Sequence, residues 1–302
     1  MNEQVASKEN RFDGRVAIVT GGGRGLGASY ARLLAARGAA VLVHDAGVAQ
    51  DGTGFDRTVA DSVVAEITTA GGSAAACYEN LEDSDACARV VKCALDQFGG
   101  VDILVHNAGL VIFAAFEETS REIWDRMINL TVNAPFYLIR TALSYMRHQN
   151  YGRIVMTTSE RAMRVEDCVP GLTAYCTGKM AAVGMMVGLA AELRDTGVRI
   201  NTISPVAATR VLRRSAPELR PELVAPGVAF LASSGCDVSG VVLQAAGGRF
   251  SAAWWSGGKE VDLGAADTPE AVAAHWRELI SSAEASEPGF PLSKWTTNLV
   301  KA

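Results

Sequence analysis

The feature that most constrains the fold of this chain is a regular alternation of short β-branched runs with longer segments that carry apolar residues at helical spacing. The short runs indicate strands at residues 15–20, 40–44, 73–78, 101–107, 152–158, 198–204 and 240–245. These runs are continuously apolar, as expected for strands that helices cover on both faces. Strands and helices in this order form a parallel sheet with right-handed crossovers. We therefore predict a doubly wound α/β fold with a parallel sheet.

The character of the chain changes after about residue 248, and this predicts the domain organisation. We expect one domain over residues 13–247 and a C-terminal extension over residues 248–302, too small to fold alone and packed on that domain. No further strand pair is expected in the extension. One helix is expected in "DTPEAVAAHWREL", with Asp267 or Thr268 as N-cap and Pro269 at the first helical position.

Composition excludes several classes of partner. The chain has 302 residues, of which 49% are hydrophobic and 20% charged, as in soluble globular proteins with a sizeable core. Its net charge is −5, and no basic cluster extends beyond "RVLRRS", so nucleic acid is not expected as a partner. The N-terminal segment has no apolar core of a signal peptide. The apolar run at residues 180–193 is shorter than the ~18 residues of a membrane span, so we predict a buried helix and no membrane partner.

Cysteine and histidine patterns argue against disulfide and metal sites. The six cysteines form no C-x-x-C pair, and the four histidines are scattered without ligand spacing. We therefore expect a reduced cytoplasmic protein without a metal. Cys176 could be a reactive thiol, but a small, half-buried packing residue is the better interpretation on composition.

A glycine-rich turn follows the first predicted strand in "TGGGRGLGASYARLL". Gly21, Gly25 and Gly27 would let the backbone approach a pyrophosphate at the start of a helix, where free N–H groups favour anions. Glycine patterns are weak signals alone, but here a strand precedes, a helix follows, and Asp45 ends the second strand. Its carboxylate can accept hydrogen bonds from ribose hydroxyls and would repel a 2′-phosphate, which favours NAD over NADP. Arg24 argues mildly for NADP.

A second signal is the stretch "AYCTGKMAAV", where Tyr175 and Lys179 are four residues apart. On a helix this spacing puts both side chains on one face. The pair could be an acid/base device or an aromatic ring packed on a lysine stem. The pair alone does not decide between these two readings.

Four motifs in order resemble the short-chain dehydrogenase/reductase family over residues 13–247: "TGGGRGLG", "HNAG", Ser159 after the fifth strand, and "YCTGK". The resemblance implies a Rossmann domain and an NAD(P)-dependent oxidoreductase acting on CH–OH groups, with NAD favoured. It implies that Tyr175 exchanges a proton with the substrate oxygen, which Ser159 holds by a hydrogen bond. Lys179 would favour the phenolate of Tyr175 and bind the nicotinamide ribose.

The resemblance also assigns a cofactor site and no metal. Asn107, Ala108 and Gly109 would line that site, and Asn80 would lie against the adenine. The complete set of cofactor-binding residues that we predict is Gly21, Arg24, Gly25, Leu26, Gly27, Asp45, Asn80, Leu81, Asn107, Ala108, Gly109, Tyr175, Lys179, Pro205 and Thr209.

The sequence departs from the family pattern in three places. Sixteen residues separate Ser159 from Tyr175 instead of the usual thirteen, so the intervening loop is longer and more charged, and we expect it to border the substrate. The family's relay asparagine, seven residues after a tryptophan, corresponds to Thr131. Asn129 and Asn133 flank it but would face other ways on a helix. The glycine that usually follows Pro205 is a valine.

A closer resemblance is to one branch of the family, the (3R)-hydroxyacyl-CoA dehydrogenase domain of type 2 peroxisomal multifunctional enzymes (17β-hydroxysteroid dehydrogenase type 4) and its bacterial stand-alone relatives. The long loop after Asp45, "ISPVAATR" and the tail helix carry it. It implies a 3-hydroxyacyl-CoA thioester as substrate, with a steroid or terpenoid alcohol as the alternative. The short lid between Pro205 and Phe230 would leave the cleft open to a bulky substrate. Trp254 and Trp255 are candidates for a cleft wall, or for plain packing.

Two further expectations concern the oligomeric state and the functional class of the protein. The apolar helix at residues 180–193 predicts a homodimer or homotetramer, because one side would meet the sheet and the other a symmetry mate. A dinucleotide-binding sensor or scaffold without catalysis stays an alternative, with Thr131 as its sequence argument.

Overall fold

The computed structural model describes residues 10–49, 52–209, 216–253, 261–264 and 268–281. Eight strands form one sheet in the order β3-β2-β1-β4-β5-β6-β7-β8. The strands are β1 Val16–Thr20, β2 Ala40–His44, β3 Ser73–Cys77, β4 Ile103–His106, β5 Gly152–Thr157, β6 Val198–Val206, β7 Val242–Ala246 and β8 Arg249–Ala253. The first seven are parallel, which confirms the predicted doubly wound α/β fold.

Helices cover both faces of the sheet. They are α1 Gly25–Ala36, α2 Thr58–Thr69, α3 Ser84–Phe98, α4 Arg121–Ile128, α5 Ala134–His148, α6 Glu160–Met163, α7 Thr173–Glu192, α8 Ala225–Ala232 and α9 Pro269–Leu279. Side chains of β1 alternate between the layers: Ala17 and Val19 face the layer of α1, α2 and α8, and Val16 and Ile18 face the layer of α3, α5 and α7. All of β1 is buried, which explains its continuous apolar run.

The eighth strand was not expected from the sequence. β8 pairs antiparallel with β7, from Ala246 opposite Arg249 to Val242 opposite Ala253. The two residues between the strands, Gly247 and Gly248, have φ of 55° and 77°, which suits a tight hairpin. No further strand pair was expected after residue 248; one strand follows and pairs with β7, so the sheet continues past residue 247. The reason is that β8 is a half-exposed edge strand without an apolar run.

The long helix α7 is only partly buried. Ala182, Val183 and Met186 face the core, whereas Val187 is 56% exposed and Gly184 is also exposed. Among the described residues α7 alone is long and apolar enough to cross a membrane. That is a weak indication, because core helices of soluble proteins meet the same length and composition criteria.

The helix α9 begins as predicted. Thr268 is its N-cap, with Oγ1 accepting a hydrogen bond from the N–H of Ala271, and Pro269 is its first residue. Asp267 lies outside the described residues. None of the side chains of α9 is buried, so the packing of the extension on the main domain stays a prediction.

The parallel strands end at one edge of the sheet, and this edge positions the candidate site. Gly21 follows β1, Asn107 follows β4, and Ser159 lies two residues past β5. Strand order reverses between β1 and β4, because the chain proceeds from β1 to β2 and β3 on one side and to β4 on the other. Ligands of open α/β sheets bind in the crevice at such a switch point.

Candidate active site

The glycine turn between β1 and α1 has a backbone that only glycine fits. Gly21 and Gly25 have φ of +61° and +51°, in the left-handed region. A Cβ on Gly27 would lie 2.0 Å from the carbonyl oxygen of Gly21. Arg24, the N-cap of α1, makes no side-chain capping hydrogen bond. The first N–H groups of α1 are therefore not capped by that side chain and can bind an anion such as a pyrophosphate.

Asp45 is fixed beside this turn by two backbone amides. Its Oδ2 accepts a hydrogen bond of 3.0 Å from the N–H of Gly23, and its Oδ1 accepts one of 2.8 Å from Gly47. The guanidinium of Arg24 donates to the carbonyl of Val48 at 3.0 Å. A carboxylate and a guanidinium therefore both lie at the ribose end of the predicted cofactor site.

Thr20 joins the ends of β1 and β4. Its buried Oγ1 accepts hydrogen bonds of 3.1 Å from the N–H groups of Asn107 and Ala108. The Nδ2 of Asn107 donates to the carbonyl of Gly21 at 3.1 Å. Asn107 therefore holds the glycine turn in place. Thr20 precedes the glycines in "TGGG", but the sequence pattern alone predicted no role for its hydroxyl.

Four other predicted cofactor residues differ in their surroundings. Thr209 reaches the turn, since a Cβ on Gly25 would lie 3.1 Å from its methyl group. Asn80 is exposed after β3, and its Oδ1 accepts a backbone hydrogen bond from two residues on. The side chains of Leu81, which is buried, and Leu26, which is partly buried, pack in the core. A cofactor contact of Leu81 would therefore come from its backbone.

The end of β6 follows a different course from the family pattern. Pro205 and Val206 both belong to the strand and pair with Ala245 and Ala246 of β7. With valine in place of glycine, the strand continues through this position. The predicted lid passes through residues 210–215, which lie outside the described residues, as do Trp254 and Trp255.

Lys179 is fixed by hydrogen bonds with two residues at the end of β5: Thr157, the last residue of the strand, and Thr158, which follows it. Its side chain is buried, and Nζ donates a 3.0 Å hydrogen bond to the carbonyl of Thr157. The hydroxyl of Thr158 donates to the backbone carbonyl of Lys179 at 2.8 Å. Burial lowers the pKa of Lys179 to about 8. A Cβ on Gly109 would lie 3.6 Å from Nζ, which places the end of the "HNAG" segment beside this ammonium.

Tyr175 lies one helical turn before Lys179, with Nζ 5.7 Å from the centre of its ring. Burial raises the pKa of Tyr175, while a hydrogen bond from Ser159 and the charge of Arg161 act in the opposite direction. The structure therefore brings Ser159, Tyr175 and Lys179 together, as predicted. The effects of Ser159 and Arg161 add to that expected of Lys179, whose role stays a prediction. The ammonium of Lys179 donates its hydrogen bond to the carbonyl of Thr157.

Thr131 occupies the place of the family's relay asparagine. It is buried in a π turn over Asn129–Asn133, and its hydroxyl donates to the carbonyl of Met127. It packs so closely on α7 that a Cβ on Gly178 would lie 1.9 Å from Oγ1. Nδ2 of Asn133 donates to Oδ1 of Asn129 at 2.8 Å, and both line a separate small pocket. Neither asparagine therefore replaces the relay side chain at α7.

The loop before α7 contains two buried carboxyl groups that the sequence did not reveal. Glu160 is 4% exposed and Asp167 is 5% exposed. Their four carboxyl oxygens receive no well-formed hydrogen bond from the described residues. Arg164 lies 3.7 Å from Glu160 and 3.3 Å from Asp167, measured between nitrogen and oxygen. Burial, followed by the charge of Asp167, raises the pKa of Glu160 to about 7.

Comparison with known proteins gives consistent matches. A family described as short chain dehydrogenase matches residues 15–218. The mouse peroxisomal multifunctional enzyme type 2 is 38% identical over 92% of this chain, which spans 38% of that protein's length. A short chain dehydrogenase from Mycobacterium avium has a TM-score of 0.77 at 36% identity, covering 88% of this chain and 94% of its own. A 7α-hydroxysteroid dehydrogenase complexed with NADH and 7-oxo glycochenodeoxycholic acid has a TM-score of 0.70 at 29% identity, covering 79% and 95%.

Proposed function

Because this chain belongs to the short-chain dehydrogenase/reductase family, we propose that it is an NAD-dependent enzyme that transfers a hydride between the nicotinamide and a secondary alcohol or ketone on a bulky apolar substrate. The observation that carries the proposal is the convergence of Ser159, Tyr175 and Lys179 at the carboxyl edge of the sheet. The glycine turn with its backbone N–H groups lies at the same edge.

Each of the three side chains has a separate role in the proposed reaction. The nicotinamide dinucleotide, when bound, supplies the hydride acceptor for oxidation or the hydride donor for reduction. Ser159 holds the substrate oxygen by a hydrogen bond. Tyr175 takes the proton from the substrate hydroxyl during oxidation and returns it during reduction. Lys179, fixed by the carbonyl of Thr157, provides a buried positive charge beside the reacting groups.

The proposed preference for NAD rests on Asp45. Two backbone amides hold its carboxylate beside the glycine turn, so the negative charge cannot readily move away from a 2′-phosphate. Arg24, the cation at the start of α1, could act the other way, and one of its donors is engaged by Val48. The fixed carboxylate therefore favours a cofactor with free ribose hydroxyls.

A 3-hydroxyacyl-CoA thioester is the substrate class we propose first. The support is the similarity to the mouse peroxisomal multifunctional enzyme type 2 along most of this chain. The second candidate is a steroid or terpenoid alcohol, favoured by the likeness to the 7α-hydroxysteroid dehydrogenase structure. Both classes present a secondary alcohol on a large apolar body.

A substrate panel tests the proposal directly. Purified protein is assayed with (3R)-3-hydroxyacyl-CoA thioesters of increasing chain length and with steroid alcohols, each with NAD and with NADP, by the absorbance of the reduced cofactor. We expect the highest kcat/KM for a thioester, and at least about tenfold higher kcat/KM with NAD, which corresponds to about 1.4 kcal/mol. Higher kcat/KM with steroids would favour the second candidate.

The same panel separates the enzyme from a sensor or scaffold without catalysis. Thr131 favours the latter, because its hydroxyl is engaged by Met127 and no amide stands in its place. Absence of turnover with every substrate, together with measurable binding of NAD, would support the sensor and contradict the enzyme.

We also propose that the protein assembles as a homodimer or homotetramer through α5 and α7. Val187 of α7 and Phe136 and Tyr145 of α5 are 56%, 47% and 43% exposed, which is unusual for apolar side chains on adjacent helices. Gel filtration at micromolar concentration should give the mass of a dimer or tetramer. A monomeric mass at that concentration would contradict this part of the proposal.

A further inference from the structure

Two cysteines face each other at the margin of the site. Cys168 lies at the end of the loop that follows α6, and Cys176 is the residue after Tyr175 on α7. Their Sγ atoms are 3.6 Å apart, and both thiols are free. A disulfide requires about 2 Å between the sulfur atoms, so a small rotation of the two side chains would close the gap.

Both thiols border an open cleft. The cleft has a volume of about 670 Å³ and lies between the loop and α7. Among the residues that line it are Cys168, Cys176, Pro170 and Met180. Both cysteines are only partly buried, so a small reagent can approach them from the cleft.

The other described cysteines lack this combination. Cys87 and Cys236 are buried, and neither contacts another cysteine in the structure. Cys77 is 2% exposed on β3, an edge strand of the sheet, and lies beside Cys93 of α3; neither lines the cleft. That second pair is the internal control for two neighbouring thiols of which one is buried.

The surroundings of the two sulfur atoms indicate different roles for them in thiol–disulfide exchange. Burial, followed by the hydrogen bond with Cys168, raises the pKa of Cys176 to about 12, while the charge of Arg161 acts the other way. The thiolate is the reactive form of cysteine. Cys168 is therefore the sulfur that meets a reagent first, and Cys176 is the sulfur that resolves the intermediate.

We infer that Cys168 and Cys176 form a redox-active pair, which closes to a disulfide beside Tyr175 and slows turnover by tying the loop between Ser159 and Tyr175 to α7. With a low-molecular-weight disulfide as the oxidant, the Cys168 thiolate attacks one sulfur of the reagent and releases the first thiol. Cys176 loses its proton to solvent and displaces the second thiol. Two electrons pass to the reagent, one S–S bond breaks, and one forms in the protein.

Formation of the disulfide would act on the loop between α6 and α7 through the turn at Val165–Asp167. Cys168 follows Asp167, so the bond would tie the segment with the buried carboxyl pair to α7 next to the catalytic tyrosine. The loop and α7 are the two walls of the cleft. Neither Ser159 nor Tyr175 lines this cleft, so closure would act by fixing the segment that joins these two residues. It does not touch the glycine turn, so the effect falls on kcat/KM of the alcohol and leaves NAD affinity unchanged.

The test uses the full-length protein and excess oxidised glutathione, followed by alkylation of the remaining thiols and peptide mass spectrometry. We expect loss of ~2 Da and protection of both Cys168 and Cys176 from alkylation, reversed by dithiothreitol. Over the same series kcat/KM for the best alcohol should fall at least threefold and recover on reduction. The measurement of kcat/KM rests on the proposed function, whereas the measurement of peptide mass does not. The proposed function and the disulfide can therefore be contradicted separately.

Matched variants decide the outcome. Cys168→Ser should show no intramolecular disulfide and a kcat/KM that oxidant does not change, while Cys93→Ser should behave as the wild type. The inference is overturned if both thiols stay open to alkylation, or if glutathione stays attached to Cys168 without displacement by Cys176. A disulfide that forms without lowering kcat/KM would overturn its role in catalysis.

Discussion

Tyr175→Phe is expected to lower kcat of the best alcohol substrate by about 10²- to 10⁴-fold, the usual contribution of a positioned proton-transfer group. The ring remains to pack on α7, but no hydroxyl is left to exchange a proton with the substrate oxygen or to receive the hydrogen bond from Ser159. Lys179 keeps its bond to Thr157, so the cofactor site stays formed. Turnover is followed by NADH absorbance, and NAD affinity by fluorescence titration. The dissociation constant for NAD should change by less than about threefold.

A matched control is Tyr151→Phe. Tyr151 precedes β5 at the opposite edge of the sheet, and the guanidinium of Arg15 lies 3.6 Å from the centre of its ring. Losing this hydroxyl should leave kcat near the wild-type value. If Tyr175→Phe retains more than a tenth of wild-type turnover, Tyr175 is not the proton-transfer group, whatever substrate the panel identifies.

Glu160→Gln is expected to remove a pH dependence of stability worth about 3 kcal/mol, since the pKa of Glu160 rises from the ordinary 4.5 to about 7 on folding. The folded state binds this proton more tightly than the unfolded chain, so the contribution of Glu160 to the free energy of unfolding is most favourable below about pH 4.5. It falls as pH rises towards about 7 and stays low above that. Glutamine cannot ionise, so the variant lacks this fall.

The measurement is urea unfolding of both proteins at fixed concentration between pH 5 and 8. His106 changes stability in the opposite direction over part of this range, because burial lowers its pKa to about 3. The difference between wild type and variant at each pH cancels that contribution. The exposed Glu66, paired with Arg32, provides the control variant Glu66→Gln, which should run parallel to the wild type. A Glu160→Gln profile that also runs parallel would contradict a buried proton on Glu160.

The sheet could be predicted because a strand that is buried on both faces has an uninterrupted apolar run in the sequence. All residues of β1 are buried, so its run contains no polar interruption apart from Thr20, whose hydroxyl accepts hydrogen bonds from Asn107 and Ala108. The edge strand β8 has no such run. Its exposed residues are Arg249, Phe250 and Ala252, and its pairing depends on a tight turn for which two adjacent glycines are a weak sequence signal.

The proximity of Tyr175 and Lys179 could be predicted from motif spacing, but their electrostatics could not. Tyr175 and Lys179 are four apart on one helix, and that spacing fixes their proximity. How strongly each cation acts on the phenol depends on where its side chain is directed, and the hydrogen bond of Lys179 to a backbone carbonyl is visible only in the structure. In the sequence, Glu160 and Asp167 stand only as two charged residues of a charged loop. They are buried because the fold of that loop turns them inward, and this is decided by tertiary packing.

The direction of β8 limits what the C-terminal segment can do for its own subunit. The strand starts beside Ala246 at the catalytic edge and ends beside Val242, roughly 14 Å of strand rise away. The polypeptide thus leaves the sheet on the side remote from Tyr175. To border the cleft beside Tyr175, a residue of the same chain beyond Ala253 would have to cross that distance again.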